Sequence, residues 1–187
     1  MADENFAELG AGRLVLRRFG PDDLTALVGY RSHPDVARFQ SWDSPYPMQD
    51  GERLIGDMLG RHPDTPGEWF QFAVALRSTK ELVGDCGVRI SAQDPRQAEI
   101  GFTLARAQQG RGYATEAVRT LLGYLFGGRG KHRVTASCDA RNASSARLLE
   151  RVGMRREGHL VESTWAKGEW TDDLLYAVLR REWPGPA

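Results

Sequence analysis

Gln109-Gly110-Arg111-Gly112-Tyr113-Ala114 decides the reading of this 187-residue chain. The run before it, AEIGFTL at residues 98–104, has the composition of a strand. The run after it carries apolar residues at Ala114, Ala117, Val118, Leu121, Leu122 and Leu125, the spacing of one helix face. Strand, glycine turn and helix therefore follow one another directly. Two glycines in one turn let the backbone come close to a ligand, and they leave the first N–H groups of the helix unpaired. A helix start of this kind can hold phosphate, or it can be a tight turn with no ligand. Two phosphate loops are excluded, because there is no G-x-x-x-x-G-K-[ST] and no G-x-G-x-x-G after an early strand.

Further along, Asn142-Ala143-Ser144-Ser145 leads into ARLLERVGM. Q-x-x-G-x-A followed by N-x-x-S-x-x-L-L-E-x-x-G-M resembles the two signatures of the GNAT acetyltransferases, in that family's order and separation. The resemblance runs from RLVLRRF at residue 13 to DDLLYAVL ending at residue 179. It is nearest to the branch that acetylates the N-termini of ribosomal proteins, the RimJ/RimL type. It implies an α/β fold, the GNAT acyl-CoA N-acyltransferase fold, with a twisted mixed sheet and helices on both faces. It also implies acetyl-CoA as co-substrate and a primary amine as acceptor.

Composition agrees with one soluble domain. Hydrophobic residues are 41% and charged residues 27%, and 25 basic residues balance 25 acidic ones. No basic surplus points to nucleic acid. The start, MADENFAE, lacks a cationic apolar leader, and no apolar run approaches membrane-spanning length. Cys86 and Cys138 sit in strand-like apolar contexts and read as reduced thiols, so a cytoplasmic location is expected. His33, His62, His132 and His159 are scattered, without metal-site spacing, and no metal is expected.

The local patterns predict the order β-α-α-β-β-β-α-β-α-β-β. Residues 13–19 alternate as a first strand, and Pro21-Asp22-Asp23 opens a helix that runs towards Tyr30 and stops before Pro34. A second helix covers residues 49–61, and residues 70–76 and 82–90 form a hairpin around Ser78-Thr79-Lys80. The helix after the glycine turn ends at Gly127-Gly128, and a strand follows at residues 134–138. Asn142 caps a helix through Arg151, with Gly153 just beyond it. Strands near residues 154–163 and 172–179 are joined by a turn containing Gly168. No linker divides the chain, so residues 1–187 read as a single GNAT domain.

The resemblance also implies a site. The pyrophosphate meets the N–H groups of Gly110, Arg111, Gly112, Tyr113 and Ala114, with Gln109 and Arg111 as candidate side-chain contacts. Phe102, Thr103 and Leu104 run beside the pantetheine arm, and the N–H of Phe102 or Thr103 stabilises the oxyanion. Gly101 suits a bulge that opens this strand away from residues 134–138. Asn142 contacts the arm while also serving as an N-cap. Ser145 corresponds to a serine thought to serve the leaving thiolate, whereas its neighbour Ser144 falls on another helix face. Tyr176 is another candidate donor.

The base departs from the branch's pattern, because Thr164 stands where the branch has a glutamate. Glu162, two residues earlier, shares a face with Thr164 in a regular strand and is the candidate base. His159 and the acceptor-side Asp43, Asp50 and Glu52 are further titratable groups. Trp42 and Tyr46, in a long loop, are candidates for the wall of an acceptor pocket. Without a strong base, the amine's own pKa matters. Near pH 7.5 about a quarter of α-amines but only about one lysine in a thousand are neutral, a gap of about 3 kcal/mol. This favours a protein N-terminus over lysine. A small-molecule acceptor (aminoglycoside, polyamine or amino acid) and a non-catalytic acyl-CoA-binding module stand as alternatives. A homodimer through the last strands and Trp165, Trp170 and Trp183 is expected, because an open strand edge otherwise needs protection.

Overall fold

In the computed structural model, which describes residues 8–185, one eight-stranded sheet organises the chain. Its strands are β1 (Glu8–Ala11), β2 (Leu14–Arg17), β3 (Trp69–Leu76), β4 (Leu82–Ile90), β5 (Gln97–Leu104), β6 (Arg133–Asp139), β7 (Arg155–Ala166) and β8 (Glu169–Leu179). The order across the sheet is β1-β2-β3-β4-β5-β6-β8-β7. The helices are α1 (Leu24–Arg31), α2 (Pro34–Ala37), α3 (Met48–Gly60), α4 (Tyr113–Gly123) and α5 (Ala143–Arg151). β4 is buried along nearly its whole length, as a central strand with helices on both faces must be. The apolar stripe expected after the glycine turn is the buried face of α4, with Ala117, Val118, Leu121 and Leu122 inside; Leu125 continues it in a π-helical turn.

Every neighbouring pair is antiparallel except β5 and β6. That parallel pair requires a crossover, which the glycine turn and α4 provide. It is paired only from Gln97↔Arg133 to Glu99↔Thr135. Beyond that, β5 stays with β4 as far as Leu104, and β6 stays with β8 as far as Asp139. Each strand follows its antiparallel partner, and a wedge opens between them. The expected bulge at Gly101 is not its cause. Gly101 pairs with Gly87 in unbroken register, so divergence of the parallel partner opens the sheet.

Several boundaries differ from the sequence expectations. Residues 8–11 form an additional edge strand; ELGA is too short and mixed to show a period. Pro21–Asp23 is a single 3-10 turn before α1. Pro34 does not simply end a helix: His33 caps a new one by accepting from the Asp35 N–H at 3.2 Å. The β7–β8 turn has Lys167 at φ 51° and Gly168 at φ 85°, the left-handed pair of a tight hairpin. Trp183 does not join Trp165 and Trp170. It packs on Phe126 at 5.6 Å, whereas Trp165 and Trp170 form an exposed edge-to-face pair at 5.5 Å.

One buried charge pair ties α1 to the central sheet. Arg31 donates to Asp85 of β4 at 3.0 Å, and the Tyr30 hydroxyl donates to the same carboxylate oxygen. Burial and then the Asp85 charge push the Tyr30 phenol well above its ordinary pKa, so it remains a donor. The guanidinium lies over Trp42 at 4.1 Å and Tyr46 at 5.2 Å. Asp85→Asn leaves a buried cation unpaired and is expected to lower the unfolding free energy by about 3–5 kcal/mol. Urea denaturation measures this, and a loss under about 1 kcal/mol contradicts the role given to the pair.

Candidate active site

The wedge between β5 and β6 continues into a cleft of about 610 Å³. The end of β5, the glycine turn with the start of α4, one face of α5 from Ser144 to Arg151, and α2 with the turn behind it form its walls. Gly110 and Gly112 have φ of 78° and 81°, a region that favours glycine. Gly112 is the N-cap of α4 and offers no side chain, and the first intrahelical bond runs from the Glu116 N–H to Gly112 at 3.1 Å. The N–H groups of Tyr113, Ala114 and Thr115 therefore precede the helix ladder without a side-chain cap.

The turn is braced from behind. Arg13 meets Glu116 through both its backbone N–H at 2.6 Å and its Nε at 2.9 Å. The same guanidinium donates to the Arg111 carbonyl at 3.1 Å and lies 4.6 Å from the Tyr113 ring centre. Gln109 donates to the Leu104 carbonyl at 3.1 Å, fixing the turn to the end of β5.

The free edge of β5 can be read from its hydrogen bonds. Ala105 donates to Val83 of β4 at 2.9 Å. Groups alternate sides along an antiparallel strand, so Thr103 and Gly101 also turn their N–H groups to β4. Phe102 and Leu104 then face the wedge. The Leu104 carbonyl taken by Gln109, and the Ala98 carbonyl taken by Thr135 at 3.3 Å, lie on that same side. Of the two expected oxyanion donors, Phe102 has the free N–H, while that of Thr103 is engaged with β4.

Asn142 caps α5 by accepting from the Ser145 N–H at 3.1 Å. The Ser145 hydroxyl makes no hydrogen bond among the described residues, and Ser145 lines the cleft together with Asn142 and Ser144. The cleft thus brings together Phe102, Thr103, Leu104, Gln109, Gly110, Gly112, Tyr113, Ala114, Asn142 and Ser145. Its charged lining comprises Arg106, Arg147, Arg151 and a single carboxylate, Asp35, which Arg106 meets at 3.3 Å. Sequence reasoning missed the Asp35–Gln40 wall; the signal was His33-Pro34-Asp35, a cap, a first-turn proline and an acid.

Five expected side chains stand elsewhere. Arg111 contributes its carbonyl to the bracing, but its side chain is exposed and does not line the cleft. Glu162 does not line it either. In β7, Leu160 pairs with Asp173 and Thr164 with Thr171, so three residues oppose Asp172 alone. Glu162 is exposed in that bulge at φ 47°, with its N–H on Asp172 at 2.8 Å, and strand alternation no longer applies to it. Trp42 and Tyr46 flank Arg31 rather than lining the cleft; Trp42 donates to the Arg31 carbonyl at 3.1 Å, and Tyr46 is buried. Tyr176 is buried and donates to Glu150 at 3.2 Å.

Neither thiol lines the cleft. Burial, and then the Asp85 charge, push the Cys86 thiol up; burial, followed by Asp139, Asp173 and Glu150, pushes Cys138 up to about 11. At pH 8 a thiol this weakly acidic reacts with a disulfide reagent about twenty-fold more slowly than free cysteine, before any shielding. Thiol titration of the native protein is expected to show slow reaction at Cys138 and none at Cys86 until unfolding. Two fast equivalents contradict this.

The GNAT acetyltransferase domain family matches residues 13–155, and the chain belongs to that family. It is an N-acetyltransferase that uses acetyl-CoA. An uncharacterized N-acetyltransferase of Bacillus licheniformis is 30% identical, over 92% of this chain and 96% of the relative. The crystal structure of a GNAT-family acetyltransferase from Bacillus anthracis superposes with a TM-score of 0.84 at 29% identity, covering 94% of this chain and 99% of that one. The ribosomal protein uS5-alanine N-acetyltransferase of Escherichia coli is 27% identical, over 64% of this chain and 62% of the relative. No helix among the described residues is long and apolar enough to cross a membrane.

Proposed function

We propose that this protein acetylates the N-terminal α-amine of a protein, a ribosomal protein being the class its relatives suggest, by direct transfer within the wedge. The free edge of β5, leading straight to an uncapped helix start, carries this reading of the cleft. The co-substrate supplies an activated acetyl thioester. The cleft fits such a ligand: unpaired N–H groups at α4 suit a pyrophosphate, the Phe102 and Leu104 edge suits a chain of amides, and arginines outnumber the one carboxylate.

Phe102 is proposed to donate its N–H to the carbonyl oxygen as charge develops there, a contribution of about 3 kcal/mol for a preorganised donor. Ser145 holds a hydroxyl able to donate to the departing sulfur. Asn142 keeps that serine in the first turn of α5. The amine proton leaves through water.

The carboxylates considered for a polycationic acceptor are partly neutralised. Lys167 donates to Asp43 at 2.9 Å, and Arg53 to Asp50 at 2.8 Å. This, together with the position of Glu162, supports an acceptor that has a substantial neutral fraction without a strong base, as an α-amine has. The protein is taken to act in the cytoplasm. The exposed edge strand β7, with Trp165 and Trp170, is the surface proposed for pairing with a second copy.

The test is a peptide with a free N-terminus and one internal lysine, incubated with enzyme and acetyl-CoA and mapped by mass spectrometry. The α-amine is expected to be modified at least about ten-fold faster, within the 3 kcal/mol ionisation gap. Faster modification of lysine contradicts the proposal.

A further inference from the structure

The glycine turn accounts for one anionic group, yet the cleft carries two more cationic side chains. Arg147 and Arg151 both line it from α5. Four residues apart, they lie on the same helix face. Arg147 has no ion pair or hydrogen bond among the described residues. Arg151 donates to the Thr115 hydroxyl at 3.2 Å, which holds it across the first turn of α4, beside the uncapped N–H groups. No carboxylate neutralises either. Glu150, the acid between them in sequence, accepts from Tyr176 at 3.2 Å, and the cleft's Asp35 is engaged by Arg106. Two guanidinium groups on one face of α5, Arg151 held next to the α4 start and Arg147 one turn away, with no anion of the protein's own, form a second anion site alongside the first.

We infer that Arg147 and Arg151 bind a phosphomonoester, the 3′-phosphate of the co-substrate's adenosine, and thereby select the 3′-phosphorylated form. The inference rests on the acetyl-CoA reading of this cleft. A phosphomonoester carries about −1.5 to −2 charges near neutral pH and offers three acceptor oxygens, which suits two forked donors. The pyrophosphate remains with the α4 N–H groups. The two groups are thus recognised by different elements, α4 and α5.

Calorimetric titration of the full chain with CoA and with 3′-dephospho-CoA tests this without turnover. The wild type is expected to bind CoA about ten-fold or more tightly than the dephospho form, with the gap narrowing as salt is raised. Arg147→Gln/Arg151→Gln is expected to bind the two ligands alike, and circular dichroism confirms its fold. Equal binding by the wild type, or a preference that survives in the double variant, overturns the subsite and leaves the acetyl-CoA reading standing. Failure of the wild type to bind either ligand overturns both.

Discussion

Gly110→Asp is expected to raise the KM for acetyl-CoA by about thirty-fold or more, whereas Gly110→Ala changes it only a few-fold. Space is not the reason, because a Cβ at Gly110 meets nothing within 4 Å. Backbone strain is not the reason either. At φ 78° an alanine costs about 1–2 kcal/mol, but it does so with and without ligand, so the cost appears in stability rather than affinity. Aspartate tolerates the left-handed region better than alanine, so Gly110→Asp is the better-folded variant of the two. What it adds is a carboxylate beside two phosphate charges. Even at the aqueous limit, two unit repulsions at about 4 Å total about 2 kcal/mol, which is about thirty-fold. Steady-state kinetics at fixed acceptor measure the effect. A KM for Gly110→Asp equal to that of Gly110→Ala contradicts phosphate binding at this turn.

Ser145→Ala is expected to lower kcat about a hundred-fold while leaving the affinity for CoA within a few-fold. General acid groups contribute about 10²–10⁴ in rate, and a donor to a thiolate, an intrinsically good leaving group, belongs at the low end. The substitution is mild for the fold. The Asn142 cap uses the backbone N–H of residue 145, which alanine keeps, and alanine is the best helix former. Ser144→Ala, also on the cleft but on a different helix face, is the control and is expected to retain most of its rate. An unchanged kcat for Ser145→Ala removes the serine from the chemistry.

The parts of the site legible in the sequence are those held by neighbours in the chain. The two-glycine turn that opens α4 and Asn142 as cap of α5 are local conformational demands, and the residue types disclose them; the structure adds that Gly112 is the N-cap and that Gly110 is left-handed. What stayed hidden depends on distant partners. Trp42 and Tyr46 are drawn around Arg31 because Asp85, far along the chain, makes it a buried cation. The wedge belongs to three strand pairings at once, so no single strand could reveal that Gly101 keeps its register. Glu162 was misplaced because alternation assumes one residue opposite one, and β7 sets three against one there. The α2 wall depended on reading Pro34 as a beginning rather than an end.

The most direct test of the account is the initial rate of CoA thiol release from acetyl-CoA with three acceptors in parallel: a peptide with a free α-amine, the same peptide N-terminally blocked with its lysine free, and spermidine. Fast release with the first, loss of that rate on blocking, and little with spermidine is the predicted result. Equal or faster release with the blocked peptide or with spermidine contradicts the assignment of a low-pKa α-amine as the acceptor.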